Sequence, residues 1–103
     1  MRKYNVIVAP YAFILLERHV AFLAQVSEPG ARKLETAILQ GLETLQTNAE
    51  SYPLWLPPEF TPPKPYRKVV ITKNHFILHF VDGNDVFVDY ILDVRMDNIG
   101  TLF

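Results

Sequence analysis

The sequence predicts an α+β domain in the order strand, helical hairpin, three-stranded antiparallel meander (βααβββ), with the helices on one face of the sheet. Three observations predict it. A short β-branched run opens the chain, two apolar stripes at helical spacing follow, and residues from Tyr66 to Arg95 alternate with a period of two. At 103 residues the chain reads as one domain, residues 1–103, with a proline-rich connector at about 47–65.

Tyr4 to Ala9 (YNVIVA) is a short strand stopped by Pro10, which suits the first turn of a helix. From Tyr11 to Val26 the pattern is helical, with Ala12, Leu16, Val20, Leu23 and Val26 on one stripe. Phe13, Ile14 and Leu15 add apolar surface elsewhere on it. A helix this apolar is covered on more than one side, by the sheet, the next helix or another chain.

Ser27-Glu28-Pro29-Gly30 breaks the run, with Ser27 as N-cap of a second helix reaching about Gln46. Its stripe is Leu34, Ile38, Leu42 or Gly41, and Leu45. Then Pro53, Pro57, Pro58, Pro62, Pro63 and Pro65 exclude a helix or central strand. That segment is read either as a connector crossing the surface, held by Trp55 and Phe60, or as a groove-filling recognition segment of polyproline type.

In the meander, a two-residue turn at Lys73-Asn74 would pair Val70 with Ile77 and Lys68 with His79. A three-residue turn at Asp82-Gly83-Asn84 would pair His79 with Phe87 and Leu78 with Val88. One face then carries Val69, Ile71, Phe76, Leu78, Phe80, Val86, Val88, Tyr90 and Leu92, a core set. The other carries Lys68, Val70, Thr72, His75, Ile77, His79, Phe87, Asp89, Ile91, Asp93 and Arg95, and any function belongs there.

The formal net charge of −1 gives no global pull toward nucleic acid or anionic membrane. Lys64, Arg67, Lys68 and Lys73 nevertheless form an acid-free basic run. Without cysteine, disulfides and thiolate chemistry are excluded, in keeping with a reducing cytoplasm. Neither a signal peptide nor a membrane span is readable. No cofactor motif is present. His75, His79, Asp89 and Asp93 share the predicted open face but lack metal-ligand spacing, so no metal is expected.

Lys3-Tyr4-Asn5-Val6, Ser27-Glu28-Pro29, Asn48 to Pro53, Tyr66-Arg67-Lys68 and Val86 to Arg95 together resemble the RelE/ParE toxin superfamily across nearly the whole chain. The resemblance implies a cytoplasmic toxin of a bacterial type II toxin–antitoxin module, neutralised by a co-encoded antitoxin, and a homodimer is the assembly weighed for the chain without antitoxin. It also implies one of two targets: DNA gyrase for the ParE-like branch, or ribosome-bound mRNA, cleaved by cations on the open face, for the RelE-like branch. For cleavage the candidates are Lys68, Arg95, His79 and Arg67. Val70 and Ile77 stand where further cations are usual, and the position of a C-terminal tyrosine falls near Thr101. An apolar, partly acidic open face points to protein binding, with Val70, Ile77, Phe87 and Ile91 on that face, and Phe13 and Leu16 on the first helix, as contacts. The remaining alternative is a non-toxic, antitoxin-binding remnant.

Overall fold

A computed structural model of the chain describes residues 3–95 and 99–103. Strand β1 (Asn5–Val8) leads into helix α1 (Pro10–Ala24), then helix α2 (Glu28–Asn48) and a single 3-10 turn at Ala49–Ser51. Strands β2 (Arg67–Val70), β3 (His75–Asp82) and β4 (Asp85–Asp93) follow, and a second 3-10 turn, Ile99–Leu102, lies near the C-terminus. The sheet order is β1-β4-β3-β2, with β1 parallel to β4 and the other pairs antiparallel.

Local chemistry sets the helix boundaries. Pro10 opens α1 with its ring in place of an unneeded N–H donor. Ser27 caps α2 by accepting from the Gly30 backbone N–H at 3.0 Å, and Glu28 complements the helix dipole. Both helices lie on one side of the sheet. α1 packs on β4 and on α2, and Gly41 of α2 sits so close to the sheet that a Cβ there would lie 2.4 Å from Ile71 Cδ1.

The strand register departs from the sequence prediction at both turns. Thr72 Oγ1 accepts from the backbone N–H groups of Asn74 and His75, each at 3.1 Å. This side-chain turn lengthens the first loop, and Ile71 N–H donates to His75 O instead. The pairs become Arg67–His79, Lys68–Leu78, Val69–Ile77 and Val70–Phe76. At the second turn Gly83 takes a φ of 62°, Asp82 pairs with Asp85, and the loop has two residues rather than three.

A β-bulge then restores the pattern farther along the hairpin. His79 pairs with Val88 but Leu78 pairs with Tyr90, so Asp89 is the extra residue. The helix-facing side therefore carries Val69, Ile77, His79, Val86, Val88 and Ile91. Lys68, Val70, Phe76, Leu78, Phe80, Tyr90 and Leu92 face away. The predicted sorting is corrected: Ile77, His79 and Ile91 are fully buried beneath the helices, while Phe76 and Leu78 belong to the opposite face.

That opposite face is not open either. The connector and the C-terminal residues cross it and form an aromatic layer. Trp55 packs against Phe60, Phe76 and Phe103, and Tyr66 against Phe80, Tyr90 and Phe103. Leu54 forms an isolated bridge with Arg67, and Trp55 N–H donates to Tyr66 O at 2.8 Å, which holds the connector along the sheet edge. As a result, β3 is buried on both sides at Phe76, Ile77, Leu78 and His79.

Candidate functional site

The aromatic layer leaves an open groove of about 1170 Å³ on the far side of the sheet from the helices. Trp55, Phe60, Phe76 and Phe103 line it, with Pro53, Pro57, Pro58 and Pro63 fixing the connector's path. Its apolar lining is unusually exposed. Leu54, Leu56 and Val94 are 46%, 79% and 46% accessible, and Val70, paired with Phe76 on the same face, is 66% accessible. These exposed aliphatic side chains gather around one groove as an apolar patch.

Among the described residues, Lys68 is the cation on the groove wall. Lys68 holds its Nζ over the Phe76 ring, 4.7 Å from the centroid, in a cation–π contact. Nearby on the same face, Lys64 lies 4.5 Å from the Phe80 centroid and 3.4 Å from Asp89 Oδ2. Asp89 also accepts from the Tyr66 hydroxyl at 2.7 Å. Burial and the Asp89 carboxylate raise the Tyr66 pKa, so that hydroxyl stays protonated as a donor.

The four predicted cleavage residues do not converge. Lys68 faces the groove, while Arg67 and His79 are on the helix side. Arg67 donates from Nη1 to Tyr52 O at 2.7 Å, and His79 Nε2 bonds Ala49 O at 2.9 Å. Arg95, beyond the end of β4, clamps Asp93 through Nε at 2.9 Å and Nη2 at 2.6 Å. The Thr101 side chain lies outside the described residues, as do Met96, Asp97 and Asn98 of the predicted tail. Of the predicted partner contacts, Phe13 and Val70 are exposed and Phe87 is half-buried on Phe80. Leu16, Ile77 and Ile91 are consumed by the core, which corrects their assignment to a free surface.

His79 is fully buried rather than an exposed strand histidine. Its Nε2–H donates to Ala49 O, and Nδ1 has no partner among the described residues. Burial pushes its pKa down, the Ala49 hydrogen bond opposes that, and the Arg67 charge adds to the lowering. With a folded pKa below the unfolded value of about 6.5, stability is intact above pH 6.5 and declines as pH falls below it. Urea midpoints at pH 7.5 and 5.5 check this: the His79→Gln variant is expected to show the smaller drop between the two pH values.

One polar cluster was not legible in the chain. His19 of α1 meets His75 and Asp93, with ring centroids of the two histidines 5.4 Å apart. The observed strand register pairs His75 with Asp93, where the predicted one set His75 opposite Ile91, and His19 reaches them by the helix crossing. His79 and Asp89, grouped with them in the sequence reading, lie elsewhere. The Arg95 guanidinium beside Asp93 holds that carboxyl down at about 2.

No family model matches the chain, and no curated protein matches it at the level searched. Solved structures do. A chain of the chromosomal ParDE TA system from P. aeruginosa superposes with a TM-score of 0.72 at 17% identity, covering 90% of this chain and 98% of that one. Two structures of the YoeB–YefM complex from Staphylococcus aureus, one of them a heterotetramer, each give a TM-score of 0.53 at 18% identity, covering 87% of this chain and 95% of theirs. The fold of this chain is thus the fold found in these toxin–antitoxin complexes.

Proposed function

We propose that this chain is the toxin of a type II toxin–antitoxin module, that it arrests growth by binding an essential protein, DNA gyrase, and that a co-encoded antitoxin neutralises it. The fold shared with ParDE and YoeB–YefM chains supports the toxin role. One observation carries the choice of protein binding over RNA cleavage: Lys68, Arg67, His79 and Arg95 point to different places, two of them toward the helices. Attack of a ribose 2′-hydroxyl on the adjacent phosphate, with the 5′-oxygen leaving, needs a base, an acid and cations around that one phosphate. A groove rimmed by Leu54, Leu56 and Val94 instead offers apolar area to a protein.

The test is induction of the chain alone in a bacterium, followed by purified gyrase in a supercoiling assay. The expected result is that DNA replication stops before translation and that supercoiling falls at stoichiometric chain. Translation stopping first, with arrest abolished by Arg95→Ala, overturns the reading in favour of mRNA cleavage. Harmless induction makes the chain an antitoxin-binding remnant.

The exposed rim is where function separates from stability. Leu56→Asp and Val70→Asp leave two side chains already in water still in water, so thermal stability is expected to change little. Growth arrest or antitoxin capture is expected to weaken at least tenfold, the effect of removing an interface anchor. Co-purification of the variants with the partner checks it.

A further inference from the structure

His19, His75 and Asp93 come from three separate elements and meet where α1 crosses the open end of the β3–β4 hairpin. His75 begins β3, Asp93 ends β4, and the two are register partners. One ligating atom from each of the three residues lies within 4.8 Å of the other two, and His75 Nε2 is 3.6 Å from Asp93 Oδ2. The pocket they share is mostly out of water: His75 is 8% accessible and the Asp93 side chain 15%.

The outer sides of the three residues are already held. His19 Nε2 is 2.8 Å from Ile91 O, and His75 Nδ1 is 2.9 Å from Thr72 Oγ1. Asp93 Oδ1 accepts from the Arg95 backbone N–H at 2.8 Å and from Arg95 Nε at 2.9 Å. A hydrogen bond at one imidazole nitrogen fixes the ring and leaves the other nitrogen for a ligand, which is how outer partners orient metal-binding histidines. Two imidazoles and one carboxylate suit a borderline cation such as zinc; calcium and magnesium take all-oxygen sets.

We propose that His19, His75 and Asp93 bind one divalent transition-metal ion of the zinc class, with water as fourth ligand, clasping α1 to the end of the β3–β4 hairpin. Metal–ligand bonds of about 2.1 Å place tetrahedral ligand atoms about 3.4 Å apart, so the trio closes by about an ångström on binding. Arg95 is the competitor. Its Nη2 lies 2.6 Å from Asp93 Oδ2, the oxygen nearest His75, and it swings away when the ion enters. The inference stands on this geometry and not on the toxin reading.

Cobalt(II) is the probe, added to the chelator-treated full chain, with zinc(II) as competitor. The expected result is one equivalent bound with the intense visible bands of four-coordinate cobalt, bleached by zinc. Binding weakens at least tenfold in His19→Gln and Asp93→Asn, and tightens in Arg95→Ala because Asp93 loses its other cation. His19 and Arg95 are both partly exposed, so these two variants keep the test alive if a change at buried His75 unfolds the chain. No visible bands in the unsubstituted chain overturns the site. Equal affinity in folded His19→Gln overturns it too, leaving a surface-bound ion only.

Discussion

Ile77→Ala is expected to destabilise the chain by about 2–5 kcal/mol, and Leu78→Ala by a similar amount, as for other fully buried aliphatic truncations. These neighbours point to opposite faces of β3. Ile77 lies under α2, with its Cδ1 3.4 Å from where a Gly41 Cβ would be. Leu78 pairs with Lys68 and Tyr90 beneath the aromatic layer. In an ordinary one-sided sheet, one of two consecutive strand residues tolerates truncation. Here neither does, because the helices cover one face and the connector the other. Urea unfolding of both variants reads this out as equal, large shifts in midpoint; a shift below about 0.5 kcal/mol at Ile77, the usual scale of surface changes, would restore the open-face register.

Tyr66→Ala carries the second large effect, on the order of 3–5 kcal/mol, because the residue anchors the connector to the sheet. Its ring meets Phe80, Tyr90 and Phe103, and its hydroxyl donates to Asp89. Tyr66→Phe isolates the hydroxyl and is expected to cost about 1.5–3 kcal/mol, the range for a bond to a charged acceptor. The two effects differ in their pattern as well as their size. Loss of the ring loosens Trp55, Phe60 and Phe103 together, so Trp55 fluorescence is expected to shift toward that of an exposed indole in Tyr66→Ala and to stay put in Tyr66→Phe.

The backbone order was legible because each element carried its own local signal. Pro10 and Ser27 mark helix starts by hydrogen-bond chemistry that acts within one turn, and both appear where expected. The sheet faces were not legible, for a reason equally local. Thr72 spends its hydroxyl on the loop, Gly83 closes a shorter turn, and Asp89 bulges out, so three one-residue shifts intervene between Arg67 and Asp93. Parity arguments fail when each step moves the count by one. Burial on both faces removed the remaining guide, since β3 has no solvent side to reveal its alternation. His79 shows the consequence. A histidine flanked by Leu78 and Phe80 looks exposed by alternation, yet it is the most enclosed polar side chain described. The His19 contact and the groove arise from helix crossing and connector path, which no spacing within a segment encodes.

Those shifts also carry the functional reading, because they disperse the cations and bury the histidine that a nuclease would need. The chain has no cysteine, which makes single thiols clean reporters of facing. In native buffer, the Val70→Cys thiol is expected to react with a maleimide at nearly the rate of a free peptide. The Ile77→Cys thiol is expected to react only as fast as the whole domain unfolds. Comparable fast labelling at both positions would contradict the register on which the account rests.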